Sequence, residues 1–380
     1  MSIKAKYRCW AEIDLAALER NLGKIRQGLP KNIQYVAVVK ADAYGHGMHQ
    51  TVARLMQCGA DAFAVANVFE AAEIREIGAG WPILVLGALL EEEDPYILDY
   101  DLMATLSSAE EVSRLNRLGQ QNGRILNVHL KIDTGMGRLG VYFKHAQALY
   151  QEIMCAEHLC LKGIYTHFSS ADSDPAYTAE QRRCFLDTLA TFPGLAAQQL
   201  LIHADNSAGL ETFAHDSPFN AVRVGLLQFG LVPYPDSLLA RLKPEPVFSF
   251  HSRVSLIKEL PAGAFISYGR THQLQQDGRI GIITAGYGDG IPVAASNQAQ
   301  VLIRGRLCPI IGRVTMDQAI VDLTHHPEVQ SGDIVTIIGQ QGSAAIDVVQ
   351  YSKWCKSIPW ETFCSITKRV PRVYQTSRML

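Results

Sequence analysis

Short apolar, β-branched runs alternate with helix-length segments between about residues 10 and 230, and no other feature restricts the fold so much. The runs fall at 34–39, 61–66, 83–86, 102–106, 125–132, 159–167, 199–203 and 220–224. Helix-like stretches separate them. One is 107–118, where Ser107 precedes Glu110 by three as in a capping box. Another is 177–189, and a further one, 15–25, precedes the first run. Strands that are apolar on both faces and separated by helices belong to a parallel sheet covered on both sides. Eight such units in about 220 residues predict a (β/α)8 barrel of the α/β class. An open doubly wound sheet is the alternative, but no GxGxxG follows the first run.

After Tyr234 the texture changes. Pro233, Pro235, Pro244 and Pro246 mark a seam, and the strand-like runs beyond it are 248–257, 279–285, 300–303, 319–323 and 333–338. Turn signals at Asp277-Gly278, Arg304-Gly305 and Ser331-Gly332 separate them. This predicts a barrel over 10–240 and a C-terminal mostly-β domain over 241–380, joined by an N-terminal strand at 1–9. A chain of 380 residues with 48% apolar and 19% charged side chains can bury such cores, which excludes general disorder. Lys plus Arg is 35 against 37 for Asp plus Glu, a balance that argues against nucleic-acid or polybasic membrane binding. No apolar stretch approaches the ~18 residues of a membrane span. The densest, 81–90, contains Pro82 and Gly87. Glu12 and Asp14 come too early for a signal peptide. Eight scattered cysteines form no CxxC pair and no zinc spacing, so reduced thiols, a cytoplasmic location and no metal are expected.

The chemistry-bearing residues cluster at the ends of the predicted strands. Lys40 follows the first directly, in Val38-Val39-Lys40-Ala41-Asp42-Ala43-Tyr44-Gly45-His46-Gly47. A lysine at a barrel's C-terminal mouth can be desolvated, lose its proton and form a Schiff base, although on position alone a snorkelling lysine is the plainer reading. Lys131 and Arg138 lie at and after the fifth strand, and His167 ends the sixth. Asn206 and Ser207 follow the seventh, and Arg223 and Gly225 end the eighth. In a barrel these ends converge on one mouth, and backbone N–H groups after strands seven and eight commonly bind phosphate. The C-terminal half adds Ser267-Tyr268-Gly269-Arg270, Gly286-Tyr287-Gly288-Asp289-Gly290 and Gly312-Arg313-Val314-Thr315-Met316-Asp317-Gln318, which by spacing alone are turn-rich sheet corners.

Taken together these stretches closely resemble the alanine racemase family of pyridoxal-phosphate enzymes. The resemblance runs from Trp10-Ala11-Glu12-Ile13-Asp14 to Arg369-Val370-Pro371-Arg372. It implies that Lys40 carries the cofactor, pyridoxal 5'-phosphate, and serves as one catalytic base. Tyr268, reached from the partner in a homodimer with shared sites, is then the second. Arg223 would hydrogen-bond the pyridine nitrogen, supported by His167. Tyr44, Ser207 and the backbone of Gly225 and Leu226 would hold the phosphate. Arg138 would contact the cofactor's phenolic oxygen and, with the Met316 backbone, receive the substrate carboxylate. Lys131 matches a lysine that some members carbamylate to orient the arginine at Arg138. Asp172, Tyr287, Arg313 and Asp317 match positions lining the substrate entrance.

The implied reaction is the interconversion of L-alanine and D-alanine in a cytoplasmic route to D-alanine. Racemisation needs proton transfer on both faces of Cα, hence two bases. Tyrosine and lysine titrate near pH 10, so both need perturbing to act near neutrality. Two positions depart from the family pattern and bear on substrate range: Trp360 where some members have tyrosine, and Val293 where some have a basic residue. Competing readings are a serine or broad-specificity racemase, a cofactor-homeostasis barrel and a diamino-acid decarboxylase.

Overall fold

The computed structural model describes residues 7–212, 219–232 and 238–376. Pro233 and Pro235 of the expected seam lie outside the described residues, as does most of the expected strand 1–9. The chain divides into two compact units: one holds Ala17–Ala43 and Met48–Glu245, the other the chain up to Ala16, Tyr44–Gly47 and the chain from Pro246 onward.

Strand β1 (Trp10–Asp14) belongs to the second unit, although the barrel was expected to begin at residue 10. It pairs antiparallel with one strand there, Trp10 opposite His251, and parallel with another, Ala11 opposite Arg372. The reason is burial. Trp10, Ala11 and Ile13 are wholly inaccessible, and the Trp10 ring stacks on His251 with centroids 5.3 Å apart.

The first unit carries β2 (Gln34–Val38), β3 (Ala62–Val65), β4 (Ile83–Val85), β5 (Ala104–Leu106) and β6 (Leu126–Asp133). A two-residue β7 (Val141–Tyr142) lies beside the end of β6 and is followed by β8 (Leu159–Tyr165), β9 (Leu201–His203) and β10 (Ala221–Val224). Parallel ladders run β10-β2-β3-β4 and β5-β6-β8-β9. A parallel bridge between Leu84 and Met103 joins them on one side. On the other, Asn220 N–H donates to Ile202 O at 3.1 Å. The ring therefore closes as an eight-stranded parallel barrel. Every residue of β3 and β10 is buried, which is why these strands read as continuous runs.

Helices surround the strands: α1 (Leu15–Gln27), the turn α2 (Lys40–Tyr44), α3 (Met48–Gln57), α4 (Val68–Ile77), α5 (Asp94–Asp99), α6 (Ala109–Asn122), α7 (Ala146–Cys155) and α8 (Pro175–Ala190). The capping box of α6 sits one residue later than expected, on Ser108 and Glu111. Ser107 is otherwise engaged: its Oγ accepts the Gly140 N–H at 3.1 Å, and it holds the loop that carries Arg138.

In the second unit, β11 (Phe248–Leu260) is the organising strand. Around it lie β12 (Phe265–Ile266), β13 (His272–Gln273), β14 (Gly278–Ile283), β15 (Gln300–Ile303), β16 (Arg306–Pro309), β17 (Ala319–Asp322), β18 (Ile334–Gln341), β19 (Ala344–Ile346) and β20 (Arg372–Gln375). The first half of β11 pairs with β1 and β18, and the second half, from Val254 onward, pairs with β14 across an irregularity between Val254 and Leu256. Two short helices, α9 (Val348–Trp354) and α10 (Pro359–Ser365), complete this mostly-β unit. Among the described residues no helix is long and apolar enough to cross a membrane.

Candidate active site

Lys40 stands at the C-terminal end of β2 and opens a left-handed turn. Ala41, Asp42 and Ala43 have φ of 55°, 55° and 53°, and Tyr44 follows at 55°. For residues with a Cβ this conformation costs roughly 1–2 kcal/mol each, so the surroundings must hold it. Ala41 N–H donates to Glu70 Oε1 at 2.6 Å, and Ala43 N–H to Val39 O at 2.9 Å. Asp42 Oδ1 accepts Met48 N–H at 2.7 Å and so starts α3. In the second unit, Gly45 O accepts from Arg372 Nε at 3.1 Å. Gly45 has no substitute, because a Cβ there would lie 2.4 Å from the Phe363 carbonyl oxygen.

The barrel gathers positive charge. Lys131, on β6, is only 4% exposed. Burial, then the charges of Arg223, Arg138 and Lys40, push its amine down to about 7, opposed only by Asp133. That carboxylate is committed to the loop ahead, accepting the N–H groups of Gly135, Met136 and Gly137. Arg138 at the end of this loop is exposed and has no hydrogen bond or ion pair among the described residues. Such a cluster of cations, with Asp133 committed to its loop and Asp205 to Arg182, suits an anionic ligand.

Arg223, on β10, is 3% exposed and solvated by neutral acceptors. Its Nη1 donates to His203 Nδ1 at 2.7 Å, and its Nη2 to His167 Nδ1 at 3.1 Å, Thr166 O at 2.8 Å and Ala204 O at 2.9 Å. Arginine only donates, so both imidazoles accept at Nδ1 and keep their protons on Nε2. His203 Nε2–H then faces His129 Nδ1 at 3.2 Å, which leaves the His129 proton on a buried Nε2 without a partner. Burial and the Arg223 charge hold His167 and His203 well below the usual histidine range, and His129 at about 3, so the network is neutral near pH 7. Burial lowers Arg223 itself to about 10, still charged at neutrality. The Tyr165 ring lies under both cations, 5.1 Å from Arg223 and 5.4 Å from Lys131, and stacks on His203 at 4.9 Å. Arg223 Nε has no acceptor among the described residues and is the donor left for a ligand.

Ser207 follows β9 and Gly225 follows β10. Ser207 Oγ accepts the Gly225 N–H at 2.9 Å and the Leu227 N–H at 3.4 Å, so the two expected phosphate-binding segments are joined. Leu226 N–H, between them, donates to no described residue. Asn206 Oδ1 accepts Gly209 N–H at 2.8 Å and closes the turn after Ser207. Asp172 is exposed, in the loop after β8. Tyr44 groups with the second unit, where its carbonyl lies 2.9 Å from His46 Nδ1.

The remaining candidates lie in the second unit. Tyr268 is 70% exposed on the tight turn between β12 and β13. Ser267 Oγ donates to Arg313 O at 2.6 Å and ties that turn to the segment of Arg313 and Met316. The Tyr287 turn is zipped to the same segment: Tyr287 N–H donates to Thr315 O at 2.9 Å and Gly288 N–H to Met316 O at 2.8 Å. Arg369 clamps the Tyr287 turn to the Met316 segment, bonding Asp289 through Nε at 2.8 Å and Nη2 at 2.9 Å and Asp317 through Nη1 at 2.8 Å. Met316 N–H has no acceptor among the described residues. Trp360, near the start of α10, and Val293, on a turn after Pro292, are both partly exposed.

The structure thus brings Lys40, Lys131, Arg138, His167 and Arg223 within electrostatic reach of one another in the barrel and links Ser207 to Gly225. In the second unit, the segments that carry Tyr268, Tyr287, Arg313, Met316 and Asp317 are tied together by hydrogen bonds. Sequence reading missed His203, Tyr165, Glu70 and Arg369. His203 carries the same signal as His167, a polar residue at the end of a barrel strand. Tyr165 ends β8, two residues before His167, inside a run that reads as apolar strand.

The family profile described as alanine racemase, N-terminal domain, matches residues 13–233, and that described as alanine racemase, C-terminal domain, matches 247–374. An alanine racemase of Halothermothrix orenii is 38% identical over 367 residues, 96% of either chain. The crystal structure of alanine racemase from Bacillus anthracis with bound L-Ala-P is 32% identical, has a TM-score of 0.89 and covers 97% of this chain and 95% of its own. The structure from Bartonella henselae with covalently bound pyridoxal phosphate is 26% identical, with a TM-score of 0.87 over 97% of this chain and 100% of its own.

Proposed function

The chain belongs to the alanine racemase family, and from that premise we infer that it interconverts L-alanine and D-alanine. The observation that carries the reading is the cationic barrel mouth, with Lys40 on a held left-handed turn and Arg223 held by neutral histidines. These residues fit pyridoxal 5'-phosphate. Arg223 Nε is available to the ring nitrogen and Leu226 N–H, beside Ser207, to the phosphate. Lys40 would hold the cofactor covalently, and Tyr44 would add its hydroxyl to the phosphate. When bound, the cofactor supplies an electron sink that makes Cα–H of the amino acid acidic.

The protein's part is placement and proton transfer. Lys40 Nζ takes or returns the Cα proton on one face, and Tyr268 Oη does so on the other. Exposed on its turn, Tyr268 is supplied by the partner subunit in a homodimer. The exposed Arg138 and the Met316 N–H receive the substrate carboxylate. Asp172, Tyr287, Arg313 and Asp317 line the way in. Arg223 is an arginine among neutral acceptors and cannot readily pass a proton to the ring nitrogen, so it favours racemisation over side reactions. We propose that Lys131 is carbamylated. Burial among cations already favours its neutral, nucleophilic amine, and a carbamate would give Arg138 an anionic partner.

The match of the second profile to 247–374 speaks against a barrel-only homeostasis protein. The test is L-alanine in deuterated water, with D-alanine labelled at Cα as the expected product. Carbon dioxide release, or a faster reaction with L-serine, would favour the competing readings. Borohydride reduction and peptide mapping should find the pyridoxyl group on Lys40, and finding it on Lys131 would refute the assignment.

A further inference from the structure

We propose that Glu70 is a positioning residue for Lys40: its carboxylate bridges two barrel loops and holds the strained turn that Lys40 opens. The proposal rests on reading Lys40 as the cofactor-bearing base. Glu70 is the third residue of α4, where an acidic side chain ordinarily reaches back to the N–H of the capping residue. That is not its use here. The cap of α4 is Asn67, whose Oδ1 accepts Glu70 N–H at 3.0 Å. The Glu70 carboxylate spans outward instead. One oxygen accepts Ala66 N–H at 2.8 Å, just past β3, and the other accepts Ala41 N–H at 2.6 Å, just past Lys40.

The Ala41 bond has a specific job. The left-handed turn first closes its own ladder at Ala43 N–H, which donates to Val39 O at 2.9 Å. Ala41 N–H precedes that bond and has no acceptor within the turn, like any N–H in the first turn of a helix. Glu70 supplies it from a neighbouring element. Ala41, Asp42 and Ala43 lie at φ of 55°, 55° and 53°, and none is glycine, so lower-energy backbone conformations compete with the observed one. Relaxation toward them turns the peptide between Lys40 and Ala41 and carries the lysine with it. Asp42, bonded to Met48 N–H at 2.7 Å, anchors the far side of the turn but not this peptide. Glu70 is therefore the contact that links the direction of the Lys40 backbone to the rigid start of α4.

The test compares Glu70→Ala and Glu70→Gln with Asn67→Ala, which removes the helix cap and leaves the carboxylate in place. Three readouts are taken on each protein. The first is amide hydrogen exchange of the peptide spanning 40–44, in the enzyme as purified and after removal of its cofactor. The second is the yield of pyridoxyl-Lys40 after incubation with pyridoxal phosphate and borohydride. The third is kcat and KM for L-alanine, alongside thermal stability. With Glu70→Ala, exchange over 40–44 should rise about tenfold, and kcat should fall about tenfold with KM changed far less. Glu70→Gln keeps one acceptor and should fall between wild type and Glu70→Ala. Asn67→Ala should lose stability without changing exchange over 40–44 or the kcat to KM pattern. Equal effects from Asn67→Ala and Glu70→Ala would reduce Glu70 to a helix cap and overturn the proposal, as would unchanged exchange over 40–44 in both Glu70 variants. Should Glu70→Ala not fold, Glu70→Gln carries the comparison. Failure of wild-type Lys40 to take up the pyridoxyl group would instead overturn the reading of the site on which this rests.

Discussion

At the scale of single residues, the decisive choice is what surrounds each buried cation. Arg223 has imidazole nitrogens and carbonyls as acceptors, while the nearby Asp205 carboxylate pairs with Arg182 at 2.6 Å. Arg223→Glu would place a proton-sharing group in that setting. We expect racemisation to fall by roughly a hundredfold and pyruvate formed per racemisation event to rise. An unchanged ratio would remove Arg223 from control of side reactions. Lys131 offers a second test. Its amine is lowered to about 7, whereas an unfolded lysine titrates near 10.4. Below pH 7 both states are protonated, and the folded state bears the full cost of a buried cation. Between about pH 7 and 10 the unfolded state binds the extra proton, so stability rises with pH across that window. Lys131→Met should therefore stabilise the protein most at pH 6 and progressively less toward pH 10, read by thermal unfolding in carbonate-free buffer. Adding labelled bicarbonate should give a carbamate carbon signal in wild type and none in the variant. A bare ammonium beside a spherical anion in high-resolution density would refute the carbamate. Lys131 and Arg223 were legible because a charged side chain at the end of an apolar run is conspicuous. Tyr165 was not, since a tyrosine inside such a run looks like any other buried aromatic.

Among elements, the barrel strands were legible because burial on both faces leaves mainly apolar runs, with the polar residues gathered toward their ends. Local geometry was less so. The sequence Lys40-Ala41-Asp42-Ala43-Tyr44 contains no glycine, so its left-handed course depends on contacts from Glu70 and other elements that no local pattern announces. Two adjacent serines can both begin a capping box, and the choice between Ser107 and Ser108 fell to a distant loop, through Gly140 N–H. This division of labour can be separated by mutation. Ser108→Ala should lower stability to denaturant by about 1 kcal/mol with little change in KM for L-alanine. Ser107→Ala leaves the cap intact and frees the segment that ends at Arg138, so it should raise KM while costing less stability. The reverse pattern would mean that the cap is on Ser107 after all.

For the whole molecule, the question is how many chains make one site. Lys40 lies in the barrel unit and Tyr268 on an exposed turn of the other, and the reading above gives each site Lys40 of one chain and Tyr268 of its partner. A two-fold axis would build two equal sites from such an exchange. Two inactive variants decide it. In a mixed dimer of Lys40→Ala and Tyr268→Phe, shared sites leave one site lacking both residues and the other with both intact. Random assortment makes about half of all dimers mixed, each with one competent site, so about a quarter of wild-type activity should return after co-expression. If each chain built its own site, every site would lack one residue and no activity would return. The assay is alanine racemisation, with differently tagged subunits proving that mixed dimers have formed. Activity no higher than the mean of the two parents, with mixed dimers present, would place both bases in one chain. The Pro-rich seam hinted at two separable units, but the expectation of a homodimer came only from the family resemblance: in a shared site each chain's half would carry ordinary local chemistry, and only the pairing of two copies would complete it.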